Sequence, residues 1–349
     1  MKAISIRPGV RDSLTVGEVP SPKPNEGELL VQSLLTGICG TDRELIEGQQ
    51  PAAAPEGEEC LILGHESFGA VVSAPPSSSF KRGDLVVGVV RRPDPAPCAS
   101  CAAGEWDMCQ NGKFTERGIK QRHGYASEQF VLEEAFAIAV PGSLRETGVL
   151  IEPTSVVAKA WEQIDFMAKR LHAYKPRRTL ITGAGPIGLL AALLAKQREH
   201  DIVVYDRATS GTKPDLVRAL GATYCHDLSQ LKEPPEIVVE CTGAAVVVLD
   251  VLQRVARNGI VCLTGLSSGK RTIELGVRNF NDALVLENEV VFGTVNANIR
   301  HYEAARDALS LAPAEWLARL ITRRVPLAQF AEAYEARADD IKVVIDWQA

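Results

Sequence analysis

A chain of 349 residues is about twice the span of one ordinary domain, so two domains, or one with a large insertion, are expected. Apolar residues at 46% and charged residues at 23% are those of a globular protein and exclude a largely disordered, collagen-like or coiled-coil chain. Thirty-eight Lys and Arg against 44 Asp and Glu leave a net charge of -6, which argues against nucleic acid or an anionic membrane as the main partner.

Residues 1–8 carry charge but no apolar segment or small-residue cleavage site of the secretory kind, and they read as a first strand. Up to about residue 130, short apolar runs at 29–35, 61–72, 84–90 and 128–131 are broken by Gly, Pro and acidic residues, the pattern of a compact all-β or α+β unit. Two stretches, 49–60 and 93–112, read as surface loops, the second holding three cysteines. After Glu152 and Pro153 the texture changes. Runs at 179–182, 201–205, 237–240, 260–265 and 290–294 predict buried strands, and 186–197, 213–220 and 247–255 predict helices between them. That alternation implies an α/β unit, a parallel sheet with helices on both faces. Beyond His301, helices at 301–311, 316–322 and 327–336 precede a last strand at 341–347. No run reaches the ~20 apolar residues a bilayer span requires; residues 187–195 come nearest and stop at Lys196. Eight scattered cysteines fit free thiols or metal ligands in a reducing compartment, so a cytoplasmic location is expected.

The run Gly183, Ala184, Gly185, Pro186, Ile187, Gly188 follows a predicted strand and opens a predicted helix. In that context the first glycine allows a tight turn, the second lets backbone approach a pyrophosphate, and the third lets helix and strand pack closely. Helix N-terminal amides then hold the phosphates. The next strand ends in Asp206, about 20 residues on, where a carboxylate accepts hydrogen bonds from the adenosine ribose diol. An acid there favours NAD, while Arg207 beside it and Lys213 nearby keep NADP open. The plainer readings are a Gly-rich turn that binds nothing, a strand-end Asp and a solvated Arg.

Earlier in the chain, Cys39 with Thr41 and Asp42, then His65 and Glu66, then Glu152, come from three separated segments. A thiolate, an imidazole and a carboxylate of this kind suit a zinc (Zn2+) site with one position open to substrate. Singly, Cys39 also fits a buried thiol, His65 a structural histidine and Glu152 a helix N-terminal acid.

Together with the glycine run, the segments 37–42, 64–69, 90–93, 104–109, 115–119, 123–124, 152–153 and 159–160 resemble the zinc-dependent medium-chain alcohol and polyol dehydrogenases, in particular their glucose dehydrogenase branch. The resemblance covers essentially the whole chain, and the run Thr115, Glu116, Arg117, Gly118, Ile119 is its most specific part. It implies a GroES-like, mostly-β catalytic domain from residues 1–155 and 301–349, and a doubly wound Rossmann domain from 156–300. It places Cys39, His65 and Glu152 as catalytic zinc ligands, with Glu66 able to approach the metal or replace a ligand. Asp42 would orient the His65 ring and Thr41 would relay the substrate proton. Glu116, Asn296 and His301 match positions that contact sugar hydroxyls. Cys98, Cys101 and Cys109 match three of four structural zinc ligands; Pro95 stands where the first cysteine belongs, leaving Asp94 as a candidate fourth ligand and a lobe held by packing alone as the alternative. Cys60, Cys225, Cys241 and Cys262 read as unbound.

The activity so implied is oxidation of an aldose, D-glucose foremost, at C1 to its lactone, with zinc and NAD or NADP. The rivals are a polyol, an amino alcohol or another sugar such as galactose on the same fold, and a metal-free nucleotide-binding protein. Val90 stands where some glucose-oxidising relatives carry a sugar-binding Asn. A homo-oligomer is expected, a dimer or tetramer paired through an edge strand, for which residues 289–292 are a candidate.

Overall fold

An eleven-residue strand, Glu28–Ile38, buries every second side chain along its first half and every side chain over its last four residues. Alternation makes it a one-sided sheet strand at first, and its far end is enclosed from both faces. It pairs antiparallel with Glu66–Ser73, Gln129–Glu133 and Lys342–Asp346, the last of which pairs in parallel with Ile321–Pro326. The C-terminal segment thus completes the sheet begun by the N-terminal one. The registers Gly37↔Glu66 and Val343↔Ile38 set the end of the long strand between Glu66 and Lys342.

The computed structural model describes residues 1–267 and 276–349, which divide into two units, Met1–Ser155 with Ala297–Ala349, and Val156–Asn296. In the first, the predicted run 61–72 is two strands in two sheets: Leu61–Ile62 lies beside Lys2–Ile6, and Glu66–Ser73 lies in the larger sheet. Residues 63–65 cross from one to the other, which is where His65 sits. Residues 297–300 belong to this unit, since Asn298 Nδ2 donates to Gly104 O at 2.6 Å and to Asp107 Oδ1 at 2.9 Å.

The second unit holds a parallel sheet in the order Thr223–Cys225, Asp201–Tyr205, Arg178–Thr182, Ile237–Glu240, Ile260–Leu263, Val290–Gly293. The strand order reverses at Arg178–Thr182, the switch point where open sheets of this kind take ligands. Helix Pro186–Gln197 carries proline in its first turn, and a Cβ on Gly188 would stand 1.8 Å from Gly183 O, so close helix-to-strand packing there needs glycine.

Several elements differ from expectation. Helix Ile151–Ala168 is not read from the sequence because nearly all of its first eleven residues are buried, which erases helical amphipathicity, and because Pro153 falls in its first turn, where proline is tolerated. Helix Val277–Leu286 also escapes the pattern. The expected helix 316–322 ends at Leu320, since Ile321–Pro326 takes up pairing with Lys342–Asp346. No helix among the described residues is long and apolar enough to cross a membrane.

Candidate metal centre and dinucleotide loop

Cys39 is the N-cap of helix Gly40–Ile46, and its N–H donates to Asp42 Oδ2 at 2.8 Å. This capping contact brings the thiol and the Asp42 carboxylate together at one end of the long strand. The other Asp42 oxygen faces His65 Nδ1 at 3.4 Å, an ion-pair distance, and both atoms are otherwise without a hydrogen-bond partner. With Nδ1 turned to Asp42, Nε2 is the ring atom left for a ligand. Thr41 Oγ1 stands 3.9 Å from Cys39 Sγ.

Ligand atoms of Cys39, His65 and Glu66 lie within 4.8 Å of one another. Glu152 stands outside this group, in the first turn of helix Ile151–Ala168, buried, with His65 and Glu66 among the charges acting on it. The trio the structure assembles therefore contains Glu66, with Glu152 beside it, whereas the sequence reading named Glu152 as the ligand and Glu66 as its stand-in. Burial pushes the Glu152 carboxyl up to about 7, with Glu66 adding to it and His65 opposing. Burial also opposes a charge on His65, but Asp42 and Cys39 hold its pKa well above the ordinary value. Three buried carboxylates and a thiol face His65 and Lys342, whose Nζ lies 2.5 and 2.7 Å from the Glu66 oxygens. This excess of anionic ligand atoms, with soft sulfur and imidazole nitrogen among them, fits a divalent zinc ion.

Sγ atoms of Cys98, Cys101 and Cys109 also gather within 4.8 Å. Cys98 accepts the Gln110 N–H at 3.3 Å, and backbone N–H groups of Cys101 and Gln110 lower its thiol to about 6. Asp94 does not join them: one carboxylate oxygen accepts from Ala96 N and the other from Asn111 Nδ2, both at 2.8 Å. Cys60, Cys225, Cys241 and Cys262 belong to no metal-ligating group among the described residues, and burial raises Cys241 to about 12.

The positions matched to sugar contacts have other partners. Glu116 accepts from Arg91 Nε at 3.0 Å and Nη2 at 2.9 Å. His301 is 2% exposed and its Nδ1 accepts from Asn298 N at 2.9 Å, closing the cap of helix Ile299–Ser310. Asn296 sits in a left-handed conformation, φ 61°, at the end of the second unit.

In the second unit, a Cβ on Gly185 would meet nothing within 4 Å, so the loop leaves room where a pyrophosphate is expected. Pro186, Ile187 and Gly188 open the helix as predicted. Asp206 Oδ2 accepts from Ala184 N at 2.7 Å and Oδ1 from Ala208 N at 3.0 Å, tying the strand end to the glycine loop. Each oxygen keeps lone-pair capacity for a ribose hydroxyl. Arg207 is exposed. Two residues the sequence reading passed over are buried charges beside these sites, Lys342 and Glu240.

Comparison with known proteins agrees with this geometry. The sequence family described as Glucose dehydrogenase C-terminus matches residues 145–347, and the Alcohol dehydrogenase GroES-like domain matches residues 25–142. The chain is 39% identical to a glucose 1-dehydrogenase of Methanocella arvoryzae over 99% of each sequence, and 38% identical to that of Thermoproteus tenax over 100% of each. Its fold matches Haloferax mediterranei glucose dehydrogenase in complex with NADP, Zn and gluconolactone, with a TM-score of 0.91, 33% identity and 100% of both chains covered.

Proposed function

The chain belongs to the zinc-dependent medium-chain dehydrogenases, in their glucose dehydrogenase branch, and from that premise we propose that it oxidises D-glucose at C1 to the lactone, reducing NAD or NADP. The observation that carries this reading is the convergence of half-buried Cys39 with buried His65 and Glu66 beside Glu152. The identity of the sugar follows from the full-length relatives and from the gluconolactone bound to the Haloferax enzyme.

Cys39, His65 and a carboxylate of Glu66 or Glu152 hold the catalytic zinc. Bound there, zinc supplies the Lewis acidity that brings the ionisation of a hydroxyl near neutral pH. Asp42 fixes the His65 ring with Nε2 toward the ligand group. Lys342 holds both oxygens of the Glu66 carboxylate and aligns it. The Thr41 hydroxyl takes the substrate proton and passes it outward. Amides of the 183–188 loop hold the pyrophosphate, and Asp206 receives the ribose hydroxyls. Arg207 gives the same edge a cation suited to a 2′-phosphate, so both dinucleotides are accommodated. The roles of Glu116, which Arg91 braces, and of Asn296 and His301 as sugar contacts rest on the family resemblance.

Cys98, Cys101 and Cys109 hold a second, structural zinc. The enzyme is a cytoplasmic homo-oligomer, a dimer or tetramer. Val290–Gly293 ends the parallel sheet, its Val and Phe side chains are half-buried, and Val285 and Leu286 are exposed on the preceding helix, which suits a pairing edge.

The test is initial-rate formation of reduced cofactor with D-glucose, D-galactose, D-xylose, sorbitol and threonine, each with NAD and NADP, before and after zinc chelation. Chelator-sensitive turnover of glucose supports the proposal. Turnover of only a polyol or amino alcohol overturns it and removes the sugar roles given to Glu116, Asn296 and His301.

A further inference from the structure

The glycine loop is flanked by two carboxylates, and the structure gives the second a task as specific as the first. Thr182, the last residue before Gly183, lies between Tyr205 on one neighbouring strand and Glu240 on the other. Asp206, next after Tyr205, holds Ala184 N. Glu240 is fully buried and has no ion-pair partner among the described residues. Its Oε1 accepts from Thr182 Oγ1 at 3.0 Å, from Thr242 N at 2.8 Å and from the Thr242 hydroxyl; its Oε2 accepts from Gly243 N at 3.0 Å.

Every one of these partners is a donor, so the site calls for an acceptor on both oxygens, which a carboxylate supplies and an amide does not. The orientation propagates. Thr242 Oγ1, donating to Glu240, accepts from Ala244 N at 3.0 Å, at the N-cap of helix Ala245–Leu252. The Glu240 carbonyl accepts from Thr264 N at 2.8 Å and Gly265 N at 3.1 Å. A Cβ on Gly243 would come within 2.0 Å of Leu266 O, so the turns after the two strands touch with no slack.

We propose that Glu240 is a positioning residue for the dinucleotide, fixing Thr182 and the 241–243 turn as the floor at the carboxyl edge of the sheet where such ligands bind. This rests on the reading of the 183–188 loop as the dinucleotide site. Glu240 acts through its neighbours and touches neither the sugar nor the reacting atoms.

The variants E240Q, T182V and T242V test it, by titration of NAD(H) and NADP(H), steady-state kinetics in cofactor and glucose, zinc content and thermal unfolding. E240Q weakens cofactor binding by about tenfold, and T182V or T242V, losing one hydroxyl donor, by a smaller factor in the same direction. At saturating cofactor, kcat, the glucose KM and the zinc content stay near wild type. Unchanged cofactor affinity with a lowered Tm assigns Glu240 to sheet stability alone and overturns the proposal. Should E240Q fail to fold, T182V and T242V carry the same comparison. A wild-type protein that binds no dinucleotide defeats the reading of the loop, and this inference with it, and that control separates the two failures.

Discussion

The Lys342 ammonium lies 2.5 and 2.7 Å from the two carboxylate oxygens of Glu66, and both side chains are 1% exposed. A further contact, 3.3 Å to Ile38 O, anchors the ammonium to the end of the strand that leads into Cys39, a candidate metal ligand. Burial disfavours a charged lysine here, but Glu66 and Cys39 outweigh it and raise its pKa. The strand Lys342–Asp346 therefore positions a carboxylate of the candidate metal centre.

Removing one member of a buried pair strands the other, which typically costs about 3–5 kcal/mol, whereas replacing both is far milder. In metal-free protein, K342M is expected to be destabilised on that scale, and E66Q/K342M by much less than the sum of the single variants. Urea unfolding of the three variants under chelation measures the coupling. Additive effects would show that the two side chains act independently.

Asp42 has two tasks, the cap on Cys39 N and the charge facing His65 Nδ1. In D42N the amide oxygen can keep the cap, while the charge that orients the ring is gone. Zinc affinity is expected to fall by about 10- to 100-fold, the usual effect of losing a carboxylate behind a ligating histidine. Competition with a chromophoric chelator measures it, and an unchanged affinity would leave Asp42 as a cap alone.

The glycine run, its flanking strand and helix and the reach to Asp206 were all legible because local chemistry determines each of them. The candidate metal trio was legible in residue type, while the choice between Glu66 and Glu152 depends on the register of Glu66 against Gly37 and on where the helix that carries Glu152 begins. Lys342 and Glu240 were passed over although each is a charge set in an apolar strand, Ile341 to Ile345 and Ile237 to Val239. Such a position demands a buried partner, and that demand is the signal that could have found them. Helix Ile151–Ala168 hid for a different reason: its first turns bury polar Glu152, Thr154, Ser155 and Lys159 together with apolar neighbours, so polarity marks no exposed face and shows no period.

Cofactor choice should follow the pair at the strand end. Asp206 already holds Ala184 N and Ala208 N, so its removal loosens the loop as well as the ribose contact. D206A is expected to lower kcat/KM for NAD by about 10- to 100-fold, the range of a charge-assisted hydrogen bond, and to lower it less for NADP. R207A should lower NADP use selectively. Equal losses with both cofactors in D206A would confine Asp206 to holding the loop.

Acid stability has an identifiable contributor in Glu133, on which Arg92, Arg117 and Arg122 converge. Burial alone would raise this carboxyl, but the hydrogen bond and charge of Arg92, joined by Arg117, bring it from 4.5 down to about 2. A depressed folded-state pKa contributes stability that is present above pH 4.5 and is lost as pH falls through about 2. The contribution is roughly 3 kcal/mol. Unfolding free energy followed from pH 6 to pH 2 should decline over that window in wild type, and the slope should be shallower in E133Q, which also starts lower because three arginines lose their carboxylate. Parallel slopes would remove Glu133 from the acid response.

The cysteine lobe separates two ways of being held together. Three sulfurs within 4.8 Å are spaced for one tetrahedral ion, while the candidate carboxylate, Asp94, spends one oxygen on Ala96 N and the other on Asn111. If zinc holds the lobe, C101S is expected to lose about one equivalent of zinc per chain relative to wild type, and D94N to lose none, because its carboxylate is a loop brace. Metal analysis of the purified proteins decides it. Equal zinc in wild type and C101S would mean that packing holds the lobe, and zinc loss in D94N would mean that the carboxylate leaves its two hydrogen bonds to become the fourth ligand.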